Sequence, residues 1–71
     1  MKELQPHQQR VVDELNELTE KVDKLRAFIN ESPIFPDLDQ GERDRLVLQY
    51  NFMTGYQAVL NMRIRAFGEQ V

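Results

Sequence analysis

The sequence contains no cysteine and no tryptophan, and it has a single histidine among its 71 residues. Without cysteine there are no disulfide staples and no thiolate metal sites. A lone His7 with no His/Cys cluster leaves no ligand set for zinc. No apolar run approaches the roughly 20 residues of a membrane span, so no membrane partner is expected. Met1-Lys2-Glu3-Leu4 leads into polar residues rather than an apolar core, so the sequence predicts no signal peptide. Basic residues are in the minority, 9 Lys and Arg against 12 Asp and Glu, for a net charge of −3. Such a chain is a poor binder of duplex DNA, which needs a basic face, and no DNA partner is expected. Any anionic ligand must be held by a few local cations. Also missing are a glycine-rich phosphate loop, a Ser/His/Asp or Cys/His pairing and a metal-spaced carboxylate motif. The chain is therefore expected to be no enzyme and to use no cofactor. It makes one domain, and a core this small is marginal unless it is stapled or shared between copies.

What is present is helical periodicity. Val11, Leu15, Leu18, Val22, Leu25 and Ile29 are spaced 4, 3, 4, 3, 4. The spacing predicts a first helix from about Pro6, since proline is tolerated at the first helical position, to about Phe28–Ile29. The stretch from Asn30 to Asp39 reads as a loop, with Pro33 and Pro36 restricting the residues before them. Asp39, with Glu42 three residues on, resembles a capping box and predicts a second helix from about Gln40. That helix should run to about Phe67, where Gly68 supplies a stop. Its seam is Leu46, Tyr50, Met53, Leu60, Ile64 and Phe67, with Gln57 filling the missing step. The fold class is all-α: an antiparallel helical hairpin of residues 1–71, with a short N-terminal extension possible.

A second stripe, Leu48, Phe52, Tyr56 and Val59, is left over on the second helix. Two helices cannot cover it by pairing only with each other. An unpartnered apolar face on so small a chain predicts assembly into a homo-oligomer. The competing expectation is a monomer whose extra face is covered at one end by Ile34, Phe35 and Leu38 of the loop.

The charges have ordinary explanations. Glu17 with Lys21 and Glu20 with Lys24 have the i, i+4 order that supports a helix. Arg63 and Arg65 sit where cations favour a helix C-terminus. Guanidinium groups also suit phosphate binding. Gly55, inside the second helix, costs about 1 kcal/mol relative to alanine, which close approach of another helix or a ligand would explain. Tyr56 beside it needs a hydroxyl partner if buried, and could stack on a ligand.

In order, the fragments are "QQRVVDE", "KVDKLRAFI", a short loop with a central Phe, "RLVLQ" and "RIRAF". At this length the set resembles the anti-CBASS protein 2 family, small phage proteins that sequester cyclic oligonucleotide signals. The resemblance runs from about Gln8 to Phe67. It implies a compact helical homohexamer, encoded by a phage and acting in the host bacterial cytoplasm. It also implies a non-enzymatic sponge, binding cyclic dinucleotides and cyclic trinucleotides so that CBASS effectors are not activated. Cyclic dinucleotides would sit between subunits, against a lysine that falls on Lys24, with Lys21 as the other candidate. Cyclic trinucleotides would use an arginine that falls on Arg65, with Arg63 as the other. The family's aromatic near the start of the first helix is missing here. His7, or Arg10 through its guanidinium, is left to stack in its place. The alternative function is a helical adaptor or inhibitor that binds a host protein through the spare stripe.

Overall fold

The computed structural model describes residues 3–69, so the signal-peptide expectation, which rests on Met1-Lys2-Glu3-Leu4, falls partly outside the described residues. Helix α1 spans Pro6–Glu31 and helix α2 spans Gln40–Arg65. A short 3₁₀ turn, Phe35–Asp37, lies between them, and a second one, Ala66–Glu69, follows α2. The described residues are all helix, turn or loop, with no strand, and the two long helices pack as a hairpin.

Local chemistry sets each helix end. Pro6 takes the first position of α1, where its missing N–H is no loss. The Gln5 backbone N–H donates to Gln8 Oε1 at 2.9 Å, satisfying one donor ahead of the helix. At the far end the Ser32 N–H still donates to the Phe28 carbonyl at 3.3 Å, and Pro33 then blocks continuation. The helix thus extends to Glu31, two residues beyond Ile29, because it is the proline that stops it rather than the end of the apolar stripe. At α2, Asp39 Oδ1 accepts from the Glu42 backbone N–H at 2.7 Å. The other end differs from expectation. The backbone tightens into 3₁₀ at Ala66, before Phe67, and no described glycine takes a positive φ. Gly68 therefore does not end α2 through a left-handed cap.

The inner seams meet as the spacing requires. Val11, Leu18, Val22 and Leu60 are buried, and Leu15, Tyr50, Met53, Ile64 and Phe67 pack partly buried against them. Gln57, the polar step in the α2 seam, donates from Nε2 to Thr19 Oγ1 at 3.0 Å. A half-buried amide is thereby satisfied by the facing helix, which also fixes the register of the hairpin. In the loop, Phe35 stacks edge-on against Phe28, with ring centroids 6.1 Å apart.

This core is small. Only four side chains among the described residues are buried, and the radius of gyration is 16.0 Å. A chain of this length folded into a compact globule would have about 11 Å. The hairpin is a rod of 51 × 15 × 15 Å. Its second stripe stands in the open: Leu48, Phe52, Tyr56 and Val59 are all exposed, Phe52 at 71%. The loop sets Phe35 against Phe28 and leaves this face bare.

Candidate functional site

All seven candidate residues are exposed: His7, Arg10, Lys21, Lys24, Tyr56, Arg63 and Arg65. The Thr19–Gln57 bond shows how they are distributed along the rod. At 1.5 Å per residue, Arg65 lies about 12 Å beyond Gln57 toward the open end, and Arg10 lies at about the same level on the other helix. Arg63 and His7 share that end. Lys24 lies on the loop side of Thr19, about 20 Å along the axis from Arg65. Lys21 is one turn closer, near the level of Tyr56.

The cations therefore form two groups. Arg10, Arg63 and Arg65, with His7, gather at the open end. Lys21 and Lys24 stand near mid-rod, on a flank of α1 beside the buried stripe. One small ligand cannot touch both groups of a single chain. None of these residues lines the groove near the loop end.

The expected helix-stabilising pairs are not formed. Among the described residues the ion pairs are Arg26–Asp23 at 3.2 Å and Arg45–Glu42 at 3.0 Å, both i, i+3. Glu17–Lys21 and Glu20–Lys24 are not among them. At exposed positions an i, i+4 pair is worth only about 0.3–0.5 kcal/mol, too little to hold two long side chains in one geometry. Lys21, Lys24, Arg63 and Arg65 thus carry no ion-pair partner among the described residues. Tyr56 forms no side-chain hydrogen bond there either, and it is exposed rather than part of the core.

Sequence reasoning passed over a shallow groove of about 270 Å³ near the loop end. Arg26, Ile29, Asn30, Val47, Tyr50 and Asn51 line it. It holds none of the seven candidates, and its one cation is already engaged by Asp23. Its signal was faint, two asparagines and an arginine in otherwise ordinary helix.

Taken together, a slender hairpin, an open apolar face and two groups of exposed cations define a class. This is a small all-helical hairpin protein with an apolar face open to a partner. Residues 5–66 match the model of the family described as Sequestin, and the chain belongs to that family. The family's name fits a sequestering protein. Comparison with curated proteins gave no match, and neither did comparison with solved structures.

Proposed function

We propose that the chain is a non-enzymatic sponge, phage-encoded and acting in the host bacterial cytoplasm. It sequesters cyclic dinucleotides and cyclic trinucleotides and so blocks CBASS immunity. The Sequestin match across residues 5–66 carries this reading. The geometry supports it in a specific way. Two cation groups about 20 Å apart suit two ligand classes bound at separate places. Exposed cations without ion-pair partners among the described residues suit sites completed between copies.

Symmetry makes the economy plain. A homohexamer built as a dimer of trimers has twofold and threefold axes. A cyclic dinucleotide is near twofold symmetric, so one Lys24 from each of two copies faces its two phosphates. A cyclic trinucleotide is near threefold symmetric, so one Arg65 from each of three copies faces its three. Assembly multiplies each cation, and a chain of net charge −3 can hold a polyanion. Lys21 and Arg63 flank these positions, and His7, Arg10 and Tyr56 are the groups available to stack on bases.

The test is calorimetry against a panel of cyclic di- and trinucleotides, followed by recovery of the ligand after the protein is denatured. The account expects saturable binding and intact ligand. A second reading, an adaptor or inhibitor that docks on a host protein, draws on the exposed stripe. It predicts a monomeric chain with no affinity for any cyclic nucleotide.

A further inference from the structure

The bare face of α2 is more regular than a leftover. Gly41, Arg45, Leu48, Phe52, Gly55, Val59, Met62 and Ala66 follow one another at steps of 4, 3, 4, 3, 4, 3 and 4. Every one from Gly41 to Met62 is exposed. Inside it sits Gly55, whose missing Cβ would meet nothing within 4 Å. Close packing within the hairpin therefore does not account for a glycine in mid-helix, where glycine is disfavoured.

The order of the stripe reads the same from either end. Laid antiparallel on a second copy, the steps coincide when residue numbers across the contact sum to 107, with the twofold axis between Met53 and Thr54. Phe52 then meets Gly55, Leu48 meets Val59, Arg45 meets Met62 and Gly41 meets Ala66. The most exposed aromatic of the stripe falls on the mid-helix glycine, a position with no side chain. Large meets small in the central layer, as knobs into holes require.

The charges beside the stripe agree. Glu42 and Asp44 flank its start, and Arg63 and Arg65 flank its end. In an antiparallel pair each flank faces its own counterpart running the other way. Glu42 then faces Arg63 of the second copy, and Asp44 faces Arg65, each contact made twice. Gln49 faces Tyr56, and Asn51 faces Ala58, so no like charges meet along the flanks. Glu42 already pairs with Arg45 of its own chain at 3.0 Å, and a second arginine would extend that pair into a network. Asp44 accepts from Gln40 at 2.6 Å and keeps a second oxygen for Arg65. The parallel arrangement fails both tests. It stacks Arg45 on Arg45 and Phe52 on Phe52, and it brings no opposite charges together.

We infer that this face of α2 is a homotypic seam, on which a second copy of the chain docks antiparallel with Phe52 seated over Gly55. The inference deepens the self-association in the proposed function and fixes its register, but it rests on no nucleotide. Nor does it withdraw Arg65 from phosphate binding, because a guanidinium held by one carboxylate has donors left over.

The experiment uses two charge-inverted chains without ligand. One carries Glu42→Arg and Asp44→Arg, the other Arg63→Glu and Arg65→Glu. Each alone brings four like-charge contacts into the seam. Mixed, every contact is again between opposite charges. Sedimentation should show each variant associating on the order of tenfold more weakly than the unaltered chain, with the mixture restored and its assembly salt-dependent. A geometric check exploits the missing cysteine. Leu48→Cys and Val59→Cys chains should cross-link when mixed under oxidation, and neither should cross-link alone. Circular dichroism of each variant confirms that the hairpin is folded before its mass is read. Inverted chains that associate as strongly as the unaltered one, or a mixture no stronger than its parts, would overturn the seam. So would Leu48→Cys chains that link to each other and not to Val59→Cys. An intact seam in a protein that binds no cyclic nucleotide would leave this inference standing and remove the ligand reading.

Discussion

Leu60→Ala puts the smallness of the core to a direct test. Among the described residues Leu60 is the one side chain with no solvent exposure, and it packs with Val11, Leu18 and Val22, the other buried ones. Truncation removes apolar burial and leaves a cavity that two rigid helices can only partly close. A fully buried leucine typically costs about 2–5 kcal/mol on truncation to alanine. In a domain of this size each 1 kcal/mol lowers the melting temperature by about 4–8 °C. The expected loss is therefore more than about 10 °C, a large share of what a core of four buried residues can supply. Helical circular dichroism against temperature measures it, at one fixed protein concentration because assembly makes melting concentration-dependent. Ala58→Ser, two residues before Leu60 but exposed, is the control and should move the midpoint little. If Leu60→Ala melts within about 2 °C of the unaltered chain, Leu60 does not hold the hairpin together and the packing argument fails.

Removing the amide from Gln57 alone, as Gln57→Leu, should cost about 1 kcal/mol by stranding the Thr19 hydroxyl in a half-buried seam. Adding Thr19→Val should recover most of that loss, which urea titration of the two variants would read. In ligand binding, Arg65→Ala should weaken cyclic trinucleotides by many hundredfold, since three contacts of roughly 1.5–3 kcal/mol are lost at once. It should leave cyclic dinucleotides nearly unaffected, and Lys24→Ala should do the reverse, with oligomer mass checked in both. Equal weakening of both ligand classes by either change would mean that the two cation groups do not serve separate sites.

Much of the fold was written in spacing. The 4, 3 rhythm from Val11 to Ile29 and its counterpart from Leu46 to Phe67 mark the faces that meet, because an α-helix repeats its surface at that period. Even the irregular step was informative, since Gln57 interrupts the seam and finds Thr19 across it. The spare stripe was legible too, as more apolar surface than one hairpin can cover. What spacing could not supply was the pairing of exposed charges. Glu17–Lys21 and Glu20–Lys24 had the favoured order and do not form, whereas Arg26–Asp23 and Arg45–Glu42 do. Long solvated side chains choose partners by small energy differences that periodicity does not encode. The end of α2 also escaped it, because Gly68 signals a left-handed stop and the backbone tightens at Ala66 instead.

The candidate site was legible only as a set of residue types. Lys24 and Arg65 are singled out by the family resemblance, and like Lys21 and Arg63 they have no ion-pair partner among the described residues. Their separation along the rod could be read only once the hairpin register was known. In the proposed assembly the walls of a ligand site come from neighbouring copies, and a single sequence carries their chemistry without their placement. The stripe from Gly41 to Ala66 is the exception, because an antiparallel self-contact can be read from one chain by pairing it with its own reverse.

The most direct measurement of the central claim is titration calorimetry with a cyclic dinucleotide and a cyclic trinucleotide panel, with each ligand recovered from the denatured complex by chromatography. Twofold and threefold sites predict about one dinucleotide per two chains and about one trinucleotide per three, every ligand returned chemically unchanged. A chain that gives no saturable binding to any member of the panel, or that returns linear product in proportion to protein added, would contradict the account.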